Sequence, residues 1–139
     1  MKKLILSFLF FLPFFAQCDT LDYWSVYLND SVIGQFNSLT PNPVLRVNKE
    51  SIHPTDTIFV SYSNDHPCAN CDYYYAIKAT KNGHKLIAQR SKQLGMKIPF
   101  PLVGLKKYEG TLDFECFVYE DRYGDEEGAY LVLFRLLIE

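Results

Sequence analysis

After residue 18, apolar side chains recur at every second position through most of the chain. No segment longer than two turns carries the 3.6-residue spacing of an amphipathic helix. A chain patterned this way buries one face of successive strands, because side chains alternate across a strand and not across a helix. Trp24, Val26 and Leu28 share one face of a strand over residues 23–28, and Asn29-Asp30 reads as a turn into a second strand over 31–36. Pro41 and Pro43 precede a short strand at 44–47, and Pro54 with Asp56 marks a turn before 57–63, where Ile58, Val60 and Tyr62 face inward.

The strands at 73–80 and 85–90 flank Asn82-Gly83, a dipeptide that tolerates positive φ at both positions and so suits a type I′ hairpin. Met96, Ile98 and Phe100 alternate around Pro99, which confines that strand to a sheet edge, and residues 102–107 suit one helical turn. Leu112, Phe114, Cys116 and Val118 line one side of the next strand, with Phe117 an exception on the wetter side. The stretch 130–138 is apolar at nearly every position except Arg135, which predicts a strand buried on one face and largely covered on the other.

Eight or nine strands so spaced predict an all-β fold: an antiparallel β-sandwich with Greek-key connections, immunoglobulin-like in general architecture, with a barrel as the alternative. The two distant cysteines that bracket a core Trp in antibody domains are absent, since Trp24 precedes Cys68, Cys71 and Cys116.

Residues 1–18 have the layout of a secretory signal: Lys2 and Lys3, an apolar run from Leu4 to Phe15, then small or polar residues. That run is well short of the roughly 20 residues of a membrane-spanning helix, and Pro13 interrupts it, so no transmembrane helix is expected. Two processing routes fit. Ala16 and Cys18 suit signal-peptidase cleavage, while Phe15-Ala16-Gln17-Cys18 loosely resembles a bacterial lipobox, with Phe and Gln replacing the usual Leu and small residue. The second route would acylate Cys18 and give the domain a lipid anchor. Residues 19–139 then suit one domain, exported to the periplasm, the outer membrane or the extracellular space.

All 16 acidic residues follow residue 18, whereas two of the 14 basic ones precede it, leaving the remainder at about −4. That balance argues against nucleic acid, whose binding needs phosphates neutralised, and against a polybasic membrane surface.

His66-Pro67-Cys68-Ala69-Asn70-Cys71-Asp72 lies between two expected strands. In an exported chain a local Cys68 to Cys71 disulfide is the favoured reading, stabilising by on the order of 2 kcal/mol before strain. A redox pair is the alternative, but a reactive thiolate is usually held at a helix N-terminus and here a strand is expected to follow. Zinc could use the same cysteines with His66 or Cys116, yet no second paired motif exists. Cys116, on an apolar face, is expected to be buried and unpaired.

The segment 120–128 concentrates carboxylates, of which Asp121, Asp125, Glu126 and Glu127 could serve calcium, although their order is not that of an EF-hand. A solvated hairpin tip is the simpler reading. Tyr74, directed oppositely to Tyr73 and Tyr75, is a candidate contact residue with His66 and Asn70 of the neighbouring loop. No catalytic set emerges: there are three histidines, no nucleophile-elbow serine, and no reason to pair any two carboxylates. The sequence therefore predicts a non-enzymatic, cofactor-free binding or structural module of the cell envelope, with a protein or glycan partner at the cell surface. A thiol-disulfide protein and a metal-binding module are the alternatives.

Overall fold

The computed structural model describes residues 21–65, 73–91, 93–120 and 129–139; for 73–74, 118–120 and 129–130 the backbone alone is described. Nine strands appear: β1 (Asp22–Leu28), β2 (Ser31–Asn37), β3 (Val44–Val47), β4 (Thr57–Asn64), β5 (Tyr73–Lys81), β6 (His84–Ser91), β7 (Lys97–Pro101), β8 (Gly110–Glu120) and β9 (Ala129–Ile138). One helical turn, α1 (Leu102–Leu105), follows β7. The strands form two sheets, ordered β2-β1-β4-β7 and β3-β9-β8-β5-β6, so the fold is the expected β-sandwich. From β4 onward the order is that of an immunoglobulin sandwich: β4 and β7 stand where B and E stand, and β6-β5-β8-β9 reproduce C′-C-F-G. The β1–β2 hairpin extends the first sheet, and the short β3 joins the second by parallel pairing with β9.

The alternation read from the sequence is the alternation of burial. Trp24, Val26, Ile58, Val60, Tyr62, Ile98 and Phe100 point inward from one sheet, and Tyr75, Ile77, Leu112, Phe114, Cys116 and Leu136 from the other. Phe114 is central: its ring stacks on Phe134 at 4.5 Å and meets Phe100 edge-on at 5.1 Å, both favoured aromatic geometries. Leu102 and Leu105 of α1 are fully buried and join the same core. Lys81 pairs with His84 across Asn82 and Gly83, whose φ values of 51° and 76° are those the type I′ turn requires. Pro99 and Pro101 sit in β7 at a sheet edge, where a missing N–H costs no ladder bond on the open side.

β9 departs from its expected form. Phe114 pairs with Phe134 but Glu115 pairs with Val132, so Leu133 is an extra residue, a β-bulge. The bulge resets the phase: Leu133, Phe134, Leu136 and Ile138 are all buried, while Val132 and Arg135 are exposed. The near-continuous apolar run thus encodes two half-strands out of phase rather than a strand covered on both faces.

Candidate functional site

Most of the residues singled out from sequence, namely Cys18, His66, Cys68, Asn70, Cys71, Asp121, Asp125, Glu126 and Glu127, lie outside the described residues. Tyr74 is placed by its backbone, in β5 opposite Tyr119 of β8. What the structure fixes is the frame around those segments. Tyr73, at the start of β5, pairs with Glu120, at the end of β8. The chain therefore enters and leaves 66–72 and 121–128 at one end of the sandwich. Asp22 pairs with Asn64 at the end of β4, which brings the start of β1 to that end as well. Leu21 N donates to Asp65 Oδ1 there.

The same end holds a buried polar cluster. Tyr62 O–H donates to Asp22 Oδ1 at 2.8 Å, Tyr75 O–H donates to the Met96 carbonyl at 3.1 Å, and the two rings lie 5.8 Å apart. Burial pushes both phenols above their ordinary range, with the Asp22 hydrogen bond adding to the effect at Tyr62. Cys116 is buried and free, as expected; desolvation pushes its thiol up to about 12, which leaves it a poor nucleophile. It lies on the strand equivalent to F, which in antibody domains carries one half of the inter-sheet disulfide; β4, the equivalent of B, offers Tyr62. This cluster fastens the two sheets together and holds no group activated for chemistry.

Beside it, along the opening between β1 and β9, lies a recess of about 160 Å³. Its inner wall is Trp24, Phe134 and Leu131, and its outer wall is the β2–β3 connection, which crosses from one sheet to the other through Ser38, Asn42 and Pro43. Arg135 stands at the opening, half exposed. The connection is held at both ends: Ser38 N donates to the Asp22 carbonyl at 2.9 Å, and Arg135 N donates to the Pro43 carbonyl at 2.9 Å. Within it, Thr40 Oγ1 accepts from Asn37 N at 3.1 Å. Asn42 has φ of 42°, a left-handed conformation adopted directly before a proline, where the choice of backbone is already narrowed.

Trp24 is 2 % exposed and its Nε1–H has no acceptor among the described residues, a deficit of about 1–3 kcal/mol for a buried donor. Arg135 Nε donates to Asp113 Oδ1 at 3.1 Å, an ion pair between β9 and β8 that orients the guanidinium. Among the described residues no carboxylate lines the recess itself, and the charge of Arg135 is met by Asp113. Sequence reading passed over this site because its walls meet only through tertiary structure. Its traces were Trp24, the single tryptophan, and Arg135, the one charge in an otherwise apolar strand.

Among the described residues, no cluster of three His, Cys, Asp or Glu could hold a metal ion, and no helix is long and apolar enough to cross a membrane. No protein family, curated protein or solved structure matches this chain.

Proposed function

We propose that this chain is an exported, non-enzymatic binding module of the cell envelope, which engages a protein or glycan component of the cell surface through one end of its sandwich. The observation that carries the reading is the pairing of Tyr73 with Glu120, which sets the strand that follows 66–72 beside the strand that leads into 121–128. Connections clustered at one end of a sandwich are the usual way this architecture makes a recognition surface, because the sheets fix the loop ends while the loops vary. The start of β5 as a strand supports a tying disulfide at Cys68 and Cys71 over a redox pair, since no helix N-terminus follows to stabilise a thiolate.

Affinity capture from the host's envelope fraction tests the reading. The wild-type chain is expected to retain a saturable partner that is lost when residues 66–72 are replaced by a Gly-Ser stretch of equal length. Repeated capture with nothing retained above background, or equal capture by the replaced variant, refutes it.

A further inference from the structure

Among the described residues the sheet edges are β2 and β7 on one sheet and β3 and β6 on the other. An open edge offers unpaired N–H and C=O groups to any further strand, and proteins blunt it with proline, charge or brevity. Three of these edges are blunted in that way. β7 carries Pro99 and Pro101 beside Lys97, β6 carries His84, Lys85 and Arg90, and β3 is four residues long with an exposed Arg46. β2 is the exception, since its seven residues, Ser31–Asn37, include no charge and no proline. The neutrality reaches further: residues 31–45 contain no Asp, Glu, Lys, Arg or His, where a chain with 22 % charged residues would place about three. That segment crosses from the edge of one sheet to the edge of the other, and Val32, Leu39 and Val44 along it are 52, 79 and 48 % exposed. The bulge at Ile33 lies toward the hairpin end of β2 and leaves Gly34, Gln35 and Phe36 in regular register with β1.

We infer that β2 pairs antiparallel with β2 of a second copy of this chain, joining their four-stranded sheets edge to edge across a two-fold axis. The charge pattern selects the occupant. A two-fold axis sets a strand against itself, so a strand whose charges share one sign repels its copy, as β6 would through Lys85 and Arg90. A neutral strand pays no such cost, and it offers no ion pair to an acidic or basic peptide. Phe36 packs inward on Trp24, so the contact is carried by the β2 backbone with the exposed Val32 and Gln35, and the core is left as it is. The inference concerns a different surface from the sandwich end invoked above and does not rest on that reading.

Sedimentation velocity over a wide concentration range, on the protein as its host produces it, tests the pairing. A reversible equilibrium between monomer and dimer is expected. Val32→Lys and Gln35→Lys each add a charge at an exposed position, which the single chain accepts, and each should weaken the dimer by about tenfold or more through like-charge repulsion across the axis. Gln35→Glu should weaken it likewise, and mixing Gln35→Lys with Gln35→Glu should restore association between the two variants. Gln89→Lys, at an exposed position of the other edge strand β6, should leave the equilibrium unchanged. A monomer at every concentration, or a mass that requires a different protein as the partner, overturns the inference. So does a dimer undiminished by the β2 variants, one weakened equally by Gln89→Lys, or a mixture that shows no recovery.

Discussion

Tyr62, inward-facing on β4, donates its phenolic hydrogen to Asp22 Oδ1 on the adjacent β1 at 2.8 Å, with the phenol almost wholly buried. The bond ties the first described strand to the immunoglobulin-like part of the fold at the end from which the candidate recognition segments depart. Tyr62→Phe removes the donor and leaves the ring in place. Asp22 is partly exposed, so water can satisfy the carboxylate left behind, and the loss should be about 1–2 kcal/mol. Urea denaturation monitored by Trp24 fluorescence would measure it, and an unchanged midpoint would mean that the hydrogen bond contributes nothing net.

The alkaline limb of stability should belong to the same region. The Cys116 thiol is raised from 9.0 to about 12 by desolvation, and Tyr62 and Tyr75 are raised as well. In each case the folded state favours the protonated, neutral form. The resulting stabilisation is fully present below the unfolded values and is lost as pH rises through the folded ones. The denaturation midpoint should therefore hold level to about pH 8.5 and then fall, with the thiol the first contributor. Cys116→Ala lowers the midpoint at neutral pH by opening a small cavity, but its curve between pH 9 and 10 should be flatter than that of the wild type. In the native protein Cys116 should also resist alkylation until denaturant is added. Rapid labelling of Cys116 in the folded state contradicts the burial on which this argument rests.

The acid limb has a different source. Asn29, at φ 53° in the β1–β2 turn, donates through Nδ2 to Asp56 Oδ1 at 3.0 Å and accepts from Thr57 N at 3.0 Å, which latches the hairpin to the start of β4. The Asn29 hydrogen bond, followed by that from His53 N, holds the Asp56 carboxyl below its ordinary range. A carboxyl depressed in the folded state contributes stability above its unfolded value that is lost as pH falls through the folded one. Asn29→Ala should remove part of that dependence, giving a smaller drop in midpoint between pH 5 and pH 3 than in the wild type. An identical drop in both proteins would assign the acid sensitivity elsewhere.

Local structure was legible where a single strand or turn decides the outcome. The alternation of Ile58, Val60 and Tyr62, the Asn82-Gly83 turn and the edge position of Pro99 each follow from a few adjacent residues and a steric rule, and each appears as expected. Long-range features were not legible. Leu133 and Phe134 read as one apolar run because hydropathy does not show where a partner strand changes register, and the bulge opposite Phe114 and Glu115 exists only in the pairing. The parallel pairing of Val44–Val47 with β9 joins residues some ninety positions apart, as the match of Val44 with Arg135 shows, and no local pattern announces it. The recess inherits that difficulty. Ser38 and Asn42 look like ordinary connection residues until the fold sets them against Trp24 and Arg135.

The packing of β2 against Trp24 gives the last prediction. Gly34 pairs with Val26 immediately beside the bulge at Ile33, and a Cβ built on it would stand 2.6 Å from two atoms of the Phe36 ring and 3.3 Å from Leu45 Cδ2. A methyl group cannot be accepted at that distance unless Phe36 moves. The ring is not free to swing without cost, because it packs against Trp24 with centroids 6.3 Å apart, and Trp24 is itself part of the core. Gly34→Ala should therefore be destabilising by about 1–3 kcal/mol, the range for overpacking, even though alanine is otherwise the better residue in a strand. The strain should also reach the Trp24 indole through Phe36, shifting its resonance and fluorescence maximum. The double variant Gly34→Ala, Phe36→Leu, which shortens the obstructing side chain, should recover part of the loss relative to Phe36→Leu alone, and a strictly additive result would mean that the obstruction lies elsewhere.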